Sequence, residues 1–276
     1  MKRPLLTLAA VAAMLVVAQM RPVVANPGGA GSARLDLVEA TVGDLHKAIQ
    51  TKLVTIEQLT EMYLARIAAY DDAGPGVNAF LHVNANAALQ ASQLDALRGP
   101  GVARAPLYGI PVLLKDNIDT ADMPTTAGSV ALAGSIPPDD AFITRKLRAA
   151  GAVILGKATL TEFANFIAIG MPTGYSSLGG FGFNPYDPRV DPRPFNPPIS
   201  FADGRPVLIT GGSSSGSGIG VAANLTALAV GTETSGSILS PASANGIVGI
   251  KPTVGLVSRD GIIPITADQD TAGPMA

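Results

Sequence analysis

Five apolar residues in succession, Ile110-Pro111-Val112-Leu113-Leu114, run into a lysine, Lys115. A strand with one face in water alternates apolar and polar side chains, whereas an unbroken apolar strand is covered on both faces. This run therefore predicts a buried strand between layers, and it sets an ammonium group where water is scarce. The flanking sequence supplies the layers. Thr41-Val42-Gly43-Asp44 and Thr55-Ile56-Glu57-Gln58 each place a hydroxyl three residues ahead of an acid or amide, the capping-box spacing that starts a helix. Leu59, Met62, Tyr63, Ile67 and Tyr70 then recur at three- and four-residue steps, which marks a buried stripe.

Farther along, Asn78 to Val83 reads as a strand and residues 85–97 as an alanine-rich helix. Asp139 and Asp140 read as caps of a helix through Ala150, Ala152 to Leu155 as a strand, and Thr159 to about Phe166 as a helix. Val207 to Thr210 and Gly246 to Ile250 read as strands, Ser215 to Leu228 as a small-residue helix, and Ala229 to Gly231 as a strand end. Alternation of this kind is an α/β pattern. Residues 168–206 interrupt it with a Gly/Pro/Asn-rich stretch that reads equally as a functional lid or as a solvated excursion.

Composition closes off several function classes. At 47% apolar and 14% charged residues the 276-residue chain lies outside the disordered regime. A net charge of −2 with scattered basic residues argues against nucleic acid as a partner. The absence of cysteine removes disulfides, thiolate metal sites and a cysteine nucleophile. No His/Asp/Glu group has ligand spacing, so neither metal nor cofactor is expected. Lys2 and Arg3 precede an apolar run from Leu5 to Val17, and Val23-Val24-Ala25 offers small residues for cleavage. This pattern predicts a signal peptide over 1–25, a linker over 26–40 and a single domain over 41–276, in a secreted or periplasmic protein with no membrane segment after signal removal.

The chemistry gathers at three places. Lys115 reads as a base whose pKa burial lowers by about 3 units, or else as a strand-end lysine reaching solvent or bridging Asp116. Gly211-Gly212-Ser213-Ser214-Ser215-Gly216-Ser217 lies between a strand and a helix and has three readings. A phosphate loop needs a terminal lysine that Ser217-Gly218-Ile219 does not supply. A nucleophile elbow centred on Ser214 needs a downstream histidine, while His46 and His82 both lie upstream. The third reading is a proton relay between Lys115 and a nucleophile elsewhere, best placed at Ser237 in Gly231-Thr232-Glu233-Thr234-Ser235-Gly236-Ser237. Against all three stands a plain small-residue crossing of helix and strand.

These segments, together with Gly246-Ile247-Val248-Gly249-Ile250-Lys251-Pro252-Thr253-Val254-Gly255-Leu256-Val257-Ser258, resemble the amidase signature family over roughly residues 41–276. The last stretch, through Asp268 to Pro274, is particularly similar to bacterial peptide-amidase-like enzymes. The resemblance implies a mixed β-sheet core with helices on both faces. It also implies a Ser-cisSer-Lys triad in which Ser237 attacks an amide carbonyl, Ser213 relays the proton and Lys115 accepts it. An oxyanion hole would be formed by the N–H groups of Thr234, Ser235, Gly236 and Ser237, with Ser214 structural. The implied substrate is a small-molecule or peptide carboxamide; the alternatives are a non-catalytic fragment or an amidotransferase subunit. Three departures stand out: Leu239 where many members carry arginine, Ser235 in place of a common glycine, and a gap of 98 positions from Lys115 to Ser213. Family members run beyond Pro274, so the resemblance implies a C-terminally truncated member with an incomplete sheet.

Overall fold

Among the described residues two capped helices, α1 (Val42–Gln50) and α2 (Ile56–Tyr70), come first, and in both the capping box closes. Thr41 and Asp44 exchange hydrogen bonds between side chain and backbone at 3.1 Å each, and Thr55 and Gln58 do so at 3.0 Å. Such caps contribute about 1 kcal/mol each. Leu59, Tyr63 and Ile67 of the predicted stripe are buried, while Tyr70 at its end is exposed beneath the Arg66 guanidinium. The computed structural model describes residues 34–97, 105–193 and 204–276. The expected signal peptide, the first part of the linker and residues 194–203 of the Gly/Pro/Asn-rich stretch lie outside the described residues.

Next come β1 (Phe80–Val83), α3 (Ala87–Ala96), β2 (Pro111–Lys115), α4 (Phe142–Ala149) and β3 (Val153–Ala158). The hairpin β4 (Tyr175–Ser176) and β5 (Gly180–Phe181) follows, then α5 (Ser215–Ala222), β6 (Leu228–Glu233), α6 (Leu239–Ala244) and β7 (Thr271–Met275). The main sheet has the order β1-β3-β2-β6-β7, with β3, β2 and β6 parallel and the two outer strands antiparallel to their neighbours. All five residues of β2 are buried. Alternation along the strands feeds two cores: Leu113, Leu155 and Ala229 pack with α1, α2, α3 and α5, whereas Val112, Leu114, Ile154 and Val230 pack with Ile143 and Leu147 of α4. The sheet is therefore mixed and covered on both faces, as the apolar run requires.

Several local readings are corrected. The segment expected as a helix from Thr159 is a short 3₁₀ turn, Glu162–Asn165, with positive φ at Phe163, Ala164 and Asn165. Its polar groups are committed elsewhere: the Thr161 N–H goes to the Ser213 carbonyl at 3.0 Å, and the Glu162 carboxylate accepts the Ser177 N–H at 2.7 Å. Residues 207–210 form no strand, because side-chain amides take their carbonyls: Asn184 bonds Ile209 and Asn245 bonds Thr210. Gly246 to Ile250 makes only a bridge at Gly249, although Val248 exchanges two backbone bonds with Ala276. Asp140 does not cap α4; it accepts the Ala121 N–H and pairs with Arg148. The small-residue helix α5 stops at Ala222, before Asn224 turns left-handed at φ 55. Part of the stretch expected to be structureless carries the β4–β5 hairpin, with the Tyr175 and Phe181 rings 5.0 Å apart. Among the described residues no helix is long and apolar enough to cross a membrane.

Candidate active site

Lys115 closes β2 with no exposed surface. Its Nζ lies 2.8 Å from Ser213 Oγ, 2.8 Å from Thr232 Oγ1 and 3.2 Å from the Thr232 carbonyl oxygen. All three neighbours are neutral oxygens. Burial lowers the lysine pKa to about 7, even though the more distant carboxylates of Glu233 and Asp270 work to raise it. Asp116, next in sequence, turns to the other side of the strand and binds Thr126 and Lys157. Lys115 therefore does not make the bridge to Asp116 that the sequence allows.

Ser213 is buried at the entrance to α5, after a cis peptide bond at Gly212–Ser213. The turn needs glycine at Gly211: its φ is +63°, and a Cβ there would sit 2.7 Å from Pro241 backbone atoms. Ser214 bridges to β6, donating its hydroxyl to the Thr232 carbonyl at 3.1 Å and accepting the Thr232 N–H at 3.2 Å. Its own N–H donates to the Ser237 carbonyl at 3.1 Å, which ties the two serine turns together. The close-packing reading applies to Gly216, where a Cβ would meet the Ala79 carbonyl oxygen at 2.3 Å. His46 and His82 line neither cavity described next.

Ser237 follows β6 and keeps 8% of its surface exposed. It lines two neighbouring cavities. One of about 310 Å³ is shared with Gly212, Ser213, Thr234, Ser235 and Phe166. The other, of about 250 Å³, is shared with Asn117, Thr232, Glu233, Thr234 and Asp270. Ser213 and Ser237 thus face one space, with Lys115 directly behind Ser213.

The turn carrying Ser237 is held by Glu233, a role absent from the sequence-based expectations. The Glu233 carboxylate accepts the N–H of Gly236 at 2.8 Å, of Ile238 at 2.7 Å and of Leu239 at 3.0 Å. Burial works against its charge, but these three N–H groups and then Lys251 hold its pKa below the usual carboxylate range. Lys251 Nζ donates to the Thr234 carbonyl at 2.6 Å and lies 3.7 Å from Glu233 Oε1. One expectation is corrected here: the Gly236 N–H is engaged by Glu233 and does not face the cavity as a spare donor. The signal lies in the sequence as an acid three residues ahead of Gly236, the reach of a side chain folding back on its own turn. Asp270 accepts the Thr234 hydroxyl at 2.5 Å and the Ile265 and Thr266 N–H groups at 2.7 and 2.9 Å. Ser235, in place of a common glycine, keeps its φ out of the left-handed region.

With a buried amine, two serines and a braced turn in one place, likeness to other proteins becomes informative. The family model described as Amidase matches residues 58–276. The native peptide amidase of Stenotrophomonas maltophilia aligns with a TM-score of 0.76 and 50% identity, over 86% of this chain and 45% of that one. An amidase family protein of Bacillus anthracis aligns with a TM-score of 0.77 and 44% identity, over 87% and 44%. A subunit of the glutamyl-tRNA(Gln) amidotransferase of Acidothermus cellulolyticus is 43% identical over 242 residues, which is 87% of this chain and 43% of that protein. The chain spans less than half the length of each of these proteins.

Proposed function

This chain belongs to the amidase family, and on that footing we propose that it hydrolyses a linear carboxamide with Ser237 as nucleophile, Ser213 as proton relay and Lys115 as base. The observation that carries the proposal is the 2.8 Å contact between Ser213 Oγ and a lysine whose pKa burial brings to about 7. Near neutrality a large share of such lysines is uncharged and can accept a proton, which an ordinary lysine at about 10.4 does not do.

Ser237 Oγ attacks the amide carbon while its proton moves to Ser213 Oγ, and the Ser213 proton moves to Lys115 Nζ. The negative charge gathers on the former carbonyl oxygen, and on this reading the N–H groups of Thr234, Ser235 and Ser237 receive it. The proton then returns through Ser213 to the leaving nitrogen, and ammonia or an amine departs. Water attacks the resulting acyl-enzyme along the same path, giving a carboxylic acid and free Ser237. Glu233 takes no part in bond making; it fixes the turn from which the donors project.

Labelling of the purified chain with a serine-directed fluorophosphonate, located by peptide mass, tests the nucleophile. Stoichiometric labelling at Ser237 that vanishes in Ser237→Ala is expected; undiminished labelling of that variant would remove the assignment. The likeness to an amidotransferase subunit favours one other reading, release of ammonia from glutamine. Comparing ammonia yield from glutamine with that from a peptide C-terminal amide separates the two. We also propose that residues 1–25 are a signal peptide, testable as a mature N-terminus at Asn26 after export.

A further inference from the structure

A neutral lysine offers two N–H groups and one lone pair, and three oxygens surround Lys115 Nζ. The Thr232 carbonyl has no hydrogen to give and takes one N–H. The second N–H and the lone pair are left to be divided between two hydroxyls at equal distance, Ser213 and Thr232, each 2.8 Å away. Only one division is productive. If the Thr232 hydroxyl donates to the amine, the lone pair faces away from Ser213 and cannot take its proton.

What decides is Asn117, at the far side of Thr232. Its Nδ2 donates to Thr232 Oγ1 at 3.0 Å, and its Oδ1 lies 3.4 Å from the same hydroxyl as an acceptor for the Thr232 hydrogen. With that hydrogen drawn toward Asn117, Thr232 Oγ1 presents an acceptor to the lysine, receives its second N–H and leaves the lone pair for Ser213. Asn117 and Thr232 are buried. We infer that Asn117, acting through the Thr232 hydroxyl, aims the lone pair of Lys115 at Ser213; the two are positioning residues for the base. This rests on the amidase reading above.

The charged groups around the amine are Glu233 at the end of β6 and Asp270 ahead of β7, which favour the ammonium, while Asp116, just after β2, is engaged by Lys157 on β3. The hydrogen-bond partners of the amine are Ser213 and Thr232, and no carboxylate is among them.

A readout that needs no turnover separates this inference from the amidase reading. The ¹⁵Nζ shift of Lys115 is titrated in the full chain and in Asn117→Asp, Thr232→Val and Thr232→Ser. Asn117→Asp is expected to raise the midpoint by about one pH unit or more, because a carboxylate then backs the hydroxyl that accepts from the ammonium. Thr232→Val is expected to lower it, since the ammonium loses an acceptor, and Thr232→Ser to leave it unchanged. Midpoints equal in all four proteins overturn the inference. Fluorophosphonate labelling at a pH where the amine is neutral gives the second arm: Thr232→Val reacts at least about tenfold slower than Thr232→Ser. Equal rates would also overturn it. Should the unaltered chain not label at all, the amidase reading fails and the titration still decides this one. If Thr232→Val does not fold, the Asn117→Asp and Thr232→Ser titrations carry the decision.

Discussion

Two lysines lie at the C-terminal ends of neighbouring strands of one sheet, Lys115 last in β2 and Lys157 last but one in β3, and neither exposes any surface. Burial lowers the pKa of both. Their partners differ. Lys157 Nζ sits 3.4 Å from the Asp116 carboxylate, with the Pro124 carbonyl and the Thr125 hydroxyl at 2.9 and 2.8 Å. Among the described residues Lys115 Nζ hydrogen-bonds to the neutral oxygens of Ser213 and Thr232 alone. The same depth therefore holds an ion pair at one strand and, at the next, an amine among neutral oxygens, which is the arrangement the proposed base requires. Burial is common to both lysines; what separates them is the carboxylate in contact with Lys157 and the hydroxyls in contact with Lys115.

The largest test of that contrast is activity. Lys115→Ala and Ser237→Ala are each expected to lower kcat by at least about 10³-fold in an amide-hydrolysis assay, while Lys157→Met combined with Asp116→Asn keeps a folded chain that still labels at Ser237. Stability should divide the other way. Asp116→Asn leaves a buried ammonium without its counter-charge and is expected to cost about 3–5 kcal/mol in urea unfolding. Lys115→Met removes a group that resists burial, so it should leave stability unchanged or raise it.

pH sharpens the comparison further. Lys115 has a folded pKa of about 7, below its unfolded value, so the folded chain holds fewer protons than the unfolded chain between those values. Its contribution to stability is complete above the unfolded pKa of about 10.4 and is lost as pH falls through about 7, and in Lys115→Met that rise of stability with pH should flatten. Over the same range kcat/KM should climb with a midpoint near 7, as the neutral amine appears. The smallest effect belongs to Glu233→Gln, which weakens the clamp on Gly236, Ile238 and Leu239 and removes one of the distant carboxylates that favour the Lys115 ammonium. A fall in kcat of about tenfold with little change in KM is expected from loosened oxyanion donors.

Elements that depend on their own side chains are legible from the letters. The capping boxes at Thr41 and Thr55 and the apolar β2 carry their instructions locally. β7 does not: Gly273 and Pro274 speak against a strand, and only pairing of Thr271–Met275 along β6 makes one. The false helix after Thr159 fails for a related reason, because Thr161 and Glu162 bond to residues far along the chain. At the site, Lys115 and Ser213 stand out in their own segments and lie in contact. The contacts of Thr232 with Lys115 and Asn117 are hidden, since neither Thr nor Asn announces chemistry until β6 is set beside β2. Gly236 reads as a free donor because composition does not show which way the Glu233 side chain folds.

The contacts of Lys115 reach 98 positions ahead to Ser213 and 117 to Thr232, with β3 and the whole hairpin region emerging from the ribosome in between. Contacts of such long sequence separation form late, after the intervening loops have been closed. On the proposed mechanism a growing chain would therefore carry an ordinary, charged lysine until β6 docks, and would lack its base while it is still being made. The lowered pKa of Lys115 is thus a mark that β2 and β6 have met.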